Sequence, residues 1–292
     1  MSTFTDMARQ LLRRWREPRY ASPMLDPASL RLTPIDSRDP HDVMIVGYPK
    51  SGNTWFQVLA AAILYGTDPF KTPDTIVQDL VPDVHERQWY RRYSTPMCFK
   101  SHERPNPSYR RVVYLVRDGR DAMVSYLKFL RVVKRNDQLT LHDLIDNGAP
   151  LWPSQWWEHV AEWTCNPYGA EMLLIRYEDL LRQPVEELKR FSEFMQITVS
   201  TEALSAIAEA ASFQKMQQRE AQQGWENPNW PRDKQFVRRG KSGSFRDEMD
   251  AECVAQFNTL ASTELRQFGY TTESLSINDG PVSHEFQAET SQ

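Results

Sequence analysis

The stretch Gly47-Tyr-Pro-Lys-Ser-Gly-Asn-Thr-Trp55 is suited to hold an anionic group. The apolar run before it, residues 43–46, has the length of a β-strand, and residues 56–64 after it have helical composition. A tight turn between a strand and a helix directs free backbone N–H groups at one point, with the positive end of the helix dipole behind them. The stretch therefore predicts a strand, an anion-binding loop and a helix, with nucleotide phosphates as the natural ligand.

The position of the lysine separates this loop from the Walker A loop of ATPases. Gly47 and Gly52 have the Walker spacing and let the backbone wrap closely, and Thr54 supplies the expected hydroxyl group. Asn53, however, occupies the position of the Walker lysine, and Lys50 lies inside the loop instead. The loop is predicted to bind phosphates through Lys50 and the backbone, without the signature of an ATPase.

The rest of the chain alternates strands and helices, which predicts a parallel sheet covered by helices on both faces. The clearest strand is the continuous β-branched run at residues 111–116. We expect further strands at 96–99 and 172–175, and helices at 119–130, 154–165, 185–195, 201–211 and 249–268. The predicted fold class is α/β, a single domain with a central parallel sheet flanked by helices and ligands at the carboxyl ends of the strands.

Three segments interrupt this alternation. Residues 66–95 are rich in proline and aspartate and are predicted to be irregular, and residues 132–153 have the composition of a mobile insertion. Residues 220–243 are long, polar and contain glycine and proline, which indicates a lid over a ligand site.

Chemically reactive residues follow two predicted strands. Arg117 comes directly after residue 116, where a kinase would place a metal-binding aspartate, and arginine binds phosphate through paired hydrogen bonds without a metal. Ser125 lies eight residues later, on the same side of the predicted helix. His102 follows the strand at 96–99, and imidazole suits proton removal at neutral pH, with Lys100 adding electrostatic stabilisation. Each of these residues alone is also common on an ordinary surface.

Composition excludes several other classes of protein. The 292 residues fit one enzyme-sized domain with a net charge of −4. Residues 271–292 contain four acidic residues and no lysine or arginine, and they are predicted to be a disordered tail. Without those four, 35 of the 39 acidic residues remain and balance the 35 basic ones. A neutral body argues against nucleic acid as a partner.

The cysteine and hydropathy patterns indicate a cytoplasmic protein. Cys98, Cys165 and Cys253 are scattered and form no C-x-x-C pair, as expected for reduced thiols without a zinc site. No run of about 18 apolar residues exists, so no integral membrane association is expected. Residues 1–20 lack the apolar core of a secretory signal and are typical of a basic amphipathic helix. Such a helix is more often a solvated surface helix than one that touches a membrane.

Taken together, these motifs resemble the soluble, cytosolic-type sulfotransferases that use 3′-phosphoadenosine 5′-phosphosulfate (PAPS). The resemblance covers roughly residues 40–270. It rests on six motifs in order: Tyr48-Pro-Lys-Ser-Gly-Asn-Thr-Trp55, Lys100-Ser-His102, Arg117-Asp-Gly-Arg-Asp121 with Ser125, Tyr177-Glu-Asp179, Ser212-Phe213 with Met216, and Arg238-Arg-Gly240. The family fold is a single α/β domain similar to P-loop nucleotide kinases. The implied division is an extension over 1–40, the sulfotransferase domain over 41–270 and the tail over 271–292.

The resemblance also implies roles for individual residues. His102 would be the general base, Lys50 would stabilise the leaving bridging oxygen, and Lys100 would contact the sulfuryl group. Ser125 would complete the catalytic set. The remaining implied roles concern donor binding. The 5′-phosphosulfate would be held by Lys50, Ser51, Gly52, Asn53 and Thr54, the 3′-phosphate by Arg117, Ser125, Arg238, Arg239 and Gly240, and the adenosine by Trp55, Tyr177, Ser212, Phe213 and Met216.

The chain departs from the family pattern at three places. Arg239 stands where the family usually has lysine, and Ala211 replaces a frequent threonine that could bond adenine. Residues 246–252 lack the Thr-Val pair of the common Lys-Thr-Val-Glu dimer motif, so the chain is expected to be a monomer or to dimerise differently.

The resemblance implies transfer of a sulfuryl group by in-line displacement to a hydroxyl group of a small phenol or alcohol, without a metal. The product would be 3′-phosphoadenosine 5′-phosphate (PAP). Amine, carbohydrate or glycolipid acceptors remain alternatives, as do a P-loop kinase and a non-catalytic nucleotide-binding protein. Trp89, Trp152, Trp156 and Trp157 could line an apolar acceptor pocket or belong to the core, and core is favoured for Trp156 and Trp163. His159 is expected to be a packed helix residue.

Overall fold

A computed structural model describes residues 26–148, 151–224, 230–231, 234–237 and 240–271. The expected N-terminal helix and the acidic tail beyond Thr271 lie outside these residues, as do Arg238 and Arg239.

The centre of the fold is a four-stranded parallel sheet. Its strands are β2 (Val43–Gly47), β4 (Cys98–Ser101), β5 (Arg111–Val116) and β6 (Glu171–Arg176), in the spatial order β4-β2-β5-β6. β2 pairs with β4 from Val43 opposite Cys98 and with β5 from Val43 opposite Arg111. The predicted α/β class with a central parallel sheet is confirmed.

Side chains alternate between the two faces of this sheet, and each face carries its own apolar core. Met44 and Val46 belong to one core, and Val43 and Ile45 belong to the other. All four are buried, because a central parallel strand is covered on both sides.

Helices cover the two faces. The first core includes residues from α3 (Gly119–Lys134), α4 (Leu141–Asn147), α5 (Trp156–Cys165), α10 (Phe245–Glu248), α11 (Ala251–Leu260) and α12 (Ser262–Gln267). The second core includes residues from α1 (Asn53–Tyr65), α2 (Asp74–Leu80), α6 (Tyr177–Arg182), α7 (Pro184–Phe194), α8 (Thr201–Ala210) and α9 (Phe213–Gln223). A short 3₁₀ helix, Pro27–Leu30, precedes the sheet.

The prediction that residues 66–95 are irregular is wrong. They contain α2, which buries Val77, and β3 (Trp89–Tyr90), which pairs antiparallel with β1 (Thr33–Pro34). The sequence shows little of this, because α2 has only seven residues and β3 only two, too short for a periodic pattern to emerge.

The predicted insertion at 132–153 is also partly helical. α3 continues to Lys134, and α4 follows at Leu141–Asn147. α4 begins with a capping box in which Thr140 accepts a hydrogen bond from the backbone N–H of Asp143 while the Asp143 carboxylate accepts one from Thr140. This local signal was present in the sequence and explains why so short a helix forms.

The single helix predicted at 249–268 is instead divided into α11 and α12, preceded by α10. Met249 is extended, and the Asp250 side chain caps α11 by accepting the backbone N–H of Cys253. Further along the chain, Ala261 ends α11 and precedes α12. The expected lid at 220–243 begins with the last turn of α9, and much of the remainder lies outside the described residues.

The parallel strands bring their carboxyl ends to one edge. The loop after β2, His102 after β4, Arg117 after β5 and Tyr177 after β6 therefore meet there. In the described part of the chain, no helix is both long enough and apolar enough to cross a membrane. Cys98, Cys165 and Cys253 are free thiols.

Candidate active site

The loop between β2 and α1 has the conformation expected of an anion-binding turn. Gly52 immediately precedes the helix with a φ of 99°, and it offers no side-chain cap. A Cβ atom at this position would lie 2.8 Å from Cδ2 of Tyr177, so only glycine fits both the backbone angle and the space. The first N–H groups of α1 have no partner within the helix, and they lie next to this turn.

Asn53, at the Walker lysine position, has a structural role. Its Nδ2 donates to the carbonyl oxygens of Gly47 and Ser101, each at 3.3 Å. These carbonyls lie at the ends of β2 and β4, so the asparagine joins the two strand ends beneath the loop. At the position of the Walker lysine, this chain thus has a buried amide that connects two strands.

Arg117 connects three parts of the site. Its Nη1 donates to the carbonyl of Lys50 at 3.0 Å, and its Nη2 donates to the carbonyl of Lys241 at 3.3 Å. Its guanidinium lies 4.4 Å from the ring centroid of Tyr177. The residue therefore holds the loop between β2 and α1, the proposed phosphate loop, against Lys241 near the end of the expected lid.

Trp55 and Tyr177 form an aromatic corner beside the loop. Their ring centroids are 6.0 Å apart in an edge-to-face arrangement, and Trp55 Nε1 donates to the carbonyl of Ala211 at 2.8 Å. This bond holds the indole against the turn that leads into α9. Phe213 and Met216 of α9 also face the cavity, so the adenosine residues implied by the resemblance are grouped.

Gly240 packs against the same helix. It has a φ of 56°, and an added Cβ atom would lie 2.1 Å from Cδ2 of Phe213. The close approach requires glycine at this position.

Lys50 projects toward the other side of the cavity. Its Nζ lies 4.9 Å from the ring centroid of Phe129 and 4.2 Å from that of Phe236. Its φ of 72° is unusual for a residue with a side chain and directs the lysine out of the tight turn. The two aromatic faces attract the ammonium group and hold it at the mouth of the loop.

His102 is attached to the phosphate loop. Its Nδ1 lies 2.7 Å from the carbonyl oxygen of Gly47, and because a carbonyl only accepts, Nδ1 carries the proton. This tautomer leaves Nε2 with a lone pair that can accept a proton. Burial and then the charge of Lys100 lower the pKa of His102 to about 3, so the ring is neutral at neutral pH.

Two residues beside His102 were missed by the sequence analysis. The backbone N–H of His102 donates to Nε2 of His85 at 3.0 Å, and the two imidazole rings stack with centroids 6.0 Å apart. Asp83 pairs with Lys100, with Oδ2 and Nζ 2.9 Å apart. Both missed residues lie in the segment predicted to be irregular, where the only signal was a pair of chemically active residues in Pro82-Asp-Val-His85.

These groups open into one cavity of about 1190 Å³. Of the implied site residues, Ser51 and Ser212 are adjacent to its wall but do not line it, and Arg238 and Arg239 lie outside the described residues. The implied residues that do line the cavity are Lys50, Gly52, Asn53, Thr54, Trp55, Lys100, His102, Arg117, Ser125, Tyr177, Phe213, Met216 and Gly240.

The tryptophans divide between the cavity and the core. Trp89 and Trp152 line the cavity and are partly exposed. Trp156 and Trp163 are fully buried in the first core, and Trp157 packs against that core. His159 is buried as well and contacts Tyr114, with Nδ1 and the hydroxyl oxygen 3.1 Å apart. The predictions of core positions for Trp156, Trp163 and His159 are confirmed.

One group of possible metal ligands lies elsewhere. His142, Asp250 and Cys253 place their ligand atoms within 4.8 Å of one another, where α4 meets α11. None of the three lines the cavity.

Comparison with known proteins identifies the family. A family model described as the sulfotransferase domain matches residues 40–269, and the chain therefore belongs to the sulfotransferase family. Flavonol 3-sulfotransferase from Flaveria bidentis is 28% identical over 262 residues, which cover 79% of this chain and 83% of that protein. The amine sulfotransferase of Oryctolagus cuniculus is 23% identical over 288 residues, 90% of this chain and 93% of that protein.

Solved structures share the fold. Retinol dehydratase, in complex with androsterone and PAP, superimposes with a TM-score of 0.61 at 23% identity, over 78% of this chain and 81% of that one. The mouse sulfotransferase SULT7A1, complexed with PAP, gives a TM-score of 0.57 at 22% identity, over 80% and 86% of the two chains.

Proposed function

We propose that this sulfotransferase moves a sulfuryl group from PAPS to a hydroxyl group of a small phenol or alcohol. The observation that carries the proposal is the 2.7 Å hydrogen bond between Nδ1 of His102 and the carbonyl of Gly47. This bond fixes a neutral proton acceptor against the loop that is suited to bind phosphates. A base and an anion site in contact with each other are the two parts that the reaction requires.

The residues of the loop fit an anionic donor. Arg117 lines the cavity, and its Nε is buried without a hydrogen-bond partner among the described residues, so this atom can bond to donor oxygens. Ser51 Oγ, inside the loop, is likewise buried without a partner among the described residues. Lys50 supplies positive charge, and the corner of Trp55 and Tyr177 offers aromatic surface for a purine. The PAP in the solved structures of retinol dehydratase and the mouse sulfotransferase supports the same class of donor.

The reaction follows from these positions. Nε2 of His102 takes the proton of the acceptor hydroxyl group, and the oxygen forms a bond to sulfur. As it forms, the bond between sulfur and the bridging oxygen of the donor breaks, and that oxygen leaves on PAP with the electron pair. Lys50 stabilises the charge on the leaving oxygen. A sulfuryl group carries less charge than a phosphoryl group, so lysine and backbone N–H groups can stabilise its transfer without a metal.

The wall near His102 favours a flat, lipophilic acceptor. Trp152 lies edge-on to His85 and His102, with centroid distances of 4.6 and 6.3 Å. Tyr126 and Phe129 continue this wall, and the Tyr126 hydroxyl donates to the carbonyl of Trp152 at 2.9 Å. Aromatic walls favour planar or hydrocarbon ligands. The flavonol named for one relative and the retinol and androsterone of the solved structures have this character.

A screen with radiolabelled PAPS tests the proposal. The purified protein is incubated with phenols, lipophilic alcohols, amines and sugars, and labelled products are separated and identified. We expect label on phenols or alcohols. Label on amines alone would move the assignment to the amine acceptors suggested by the rabbit relative. If PAP binds and no acceptor is labelled, the protein is a non-catalytic nucleotide-binding protein.

A further inference from the structure

We propose that Asp83 is a positioning residue for sulfuryl transfer, which acts by holding the ammonium group of Lys100 beside His102. The inference rests on the proposed function, because it concerns the same site. Asp83 matches none of the motifs that carry the family resemblance.

The ion pair is buried within the site. Asp83 is 3% exposed and Lys100 is 7% exposed, and Oδ2 and Nζ are 2.9 Å apart. Both residues line the cavity together with His102. A buried charge is stable only when it is paired, so each of these groups depends on the other.

The backbone fixes the carboxylate opposite the lysine. The N–H of Lys100 donates to the carbonyl of Pro82 at 2.8 Å, and the N–H of Val84 donates to the carbonyl of Lys100 at 3.0 Å. These two bonds attach residues 82–84 to β4 like a short extra strand. Oδ1 of Asp83 accepts the backbone N–H of His85 at 2.8 Å, which sets the rotation of the carboxylate and leaves Oδ2 for Lys100.

The charges determine what this arrangement does. Although burial raises it, the charge of Lys100 is the main influence that holds the pKa of Asp83 at about 2, so the carboxylate stays ionised. Before transfer, Lys100 and Asp83 neutralise each other. When His102 takes the acceptor proton, a second positive charge forms beside Lys100, and Asp83 compensates it. A carboxylate without Lys100 would instead repel the sulfuryl oxygens.

This arrangement predicts that Asp83→Asn changes kcat in opposite directions in the wild-type enzyme and in the Lys100→Met variant. In the wild-type enzyme, Asp83→Asn releases Lys100 and should lower kcat by roughly 10²-fold, the cost of misplacing a catalytic group by about 1 Å. In Lys100→Met, Asp83 is an unpaired carboxylate. Adding Asp83→Asn should then raise kcat, because it removes the repulsive charge. Asp83→Glu, which keeps the charge, should retain more activity than Asp83→Asn.

The experiment compares wild type, Asp83→Asn, Lys100→Met, the double variant with both substitutions, and Asp83→Glu. For each protein, kcat and the donor KM are measured with radiolabelled PAPS and with 2-naphthol as the acceptor probe. Calorimetry with PAP counts the folded sites, so kcat is expressed per binding site. In Asp83→Asn the donor KM should change less than kcat, because Asp83 lies outside the phosphate loop.

Asp42→Asn is the matched control. Asp42 is also buried and pairs with Arg92, with Oδ2 and Nη2 2.7 Å apart, but it lies before β2 at the opposite edge of the sheet. Its loss should lower stability without lowering kcat per site. If Asp83→Asn behaves like this control, or if it lowers kcat equally in both backgrounds, Asp83 is merely structural and the inference is wrong.

The wild-type measurement separates this inference from the proposed function. If wild-type protein labels neither 2-naphthol nor any acceptor of the screen, the proposed function fails and the inference fails with it. If wild-type turnover is normal and Asp83→Asn is equally active, only the inference fails. If Asp83→Asn does not fold, the test uses the double variant that carries both Lys100→Met and Asp83→Asn. If that double variant folds and is no more active than Lys100→Met alone, the inference is wrong.

Discussion

Single residues account for the chemistry proposed here, and His102 is the centre of it. The bond to Gly47 makes one nitrogen the donor and leaves the other as the proposed base, so a backbone carbonyl of the phosphate loop selects the tautomer. The sequence could predict His102 and Lys100, because both belong to a recognisable motif at the end of a strand. It could not predict Asp83, because the ion pair joins residues from two segments whose contact depends on tertiary packing.

His102→Ala should lower turnover by roughly 10²–10⁴-fold, the usual contribution of a general base. Binding of PAP should survive, since the histidine contacts the loop through the Gly47 carbonyl and not through the groups suited to phosphates. Steady-state rates and calorimetry with PAP measure the two effects. Near-normal turnover in the variant would remove His102 from the mechanism.

At the scale of elements, the site depends on how residues 241–245, which lead into and begin α10, are attached to α3. Asp121, in the first turn of α3, is buried and accepts three hydrogen bonds from this segment. The donors are Gly243 N at 2.7 Å, Phe245 N at 2.8 Å and Ser244 Oγ at 3.0 Å. Arg117 adds its bond to the carbonyl of Lys241. The segment that follows Arg238 and Arg239 in sequence is thus held next to the phosphate loop.

Asp121→Asn should weaken PAP binding, because the amide can accept at one oxygen only and its NH₂ group opposes the donors that face it. The loss should be about 1.5–3 kcal/mol, the scale of a hydrogen bond to a charged group. Calorimetry should show a smaller loss for adenosine 5′-phosphosulfate, which lacks the 3′-phosphate. The exposed Asp247→Asn is the control. Equal losses for both nucleotides would show that Asp121 does not act through the 3′-phosphate.

The elements themselves were predictable to different degrees. β5 and the junction of β2, loop and α1 follow from continuous apolar runs and glycine spacing. α2 and the division between α11 and α12 do not, because short helices are fixed by caps such as Asp250 and by burial of a few residues such as Val77.

At the scale of the whole molecule, the half-buried His102 and the fully buried His159 link stability to pH. Burial and then Lys100 lower the pKa of His102 to about 3, and burial lowers that of His159 to about 4. An unfolded chain has histidine pKa values near 6.5, so between pH 6.5 and these lower values the unfolded state binds more protons than the native state. Stability must therefore fall as the pH falls through this range.

We expect each of these histidines to remove about 2 kcal/mol from the free energy of unfolding between pH 7 and pH 5. Denaturant unfolding at the two pH values measures the difference. In His159→Asn, the change in the free energy of unfolding between the two pH values should be smaller by the contribution of this one histidine. Replacement of the exposed His41 by Asn is the control and should leave the change as it is in the wild type. If the pH dependence of the free energy of unfolding is the same in His159→Asn as in the wild type, burial of this histidine does not link stability to pH.

The most direct test of the central claim follows the transferred group itself. Wild-type protein, with excess chelator present, is supplied with 2-naphthol and either PAPS labelled in its sulfuryl group or ATP labelled in its terminal phosphate. The account predicts labelled sulfate on the acceptor in amounts equal to the PAP formed, and no transfer from ATP. Transfer of phosphate from ATP that requires added magnesium, with no transfer from PAPS, would contradict it and identify a kinase.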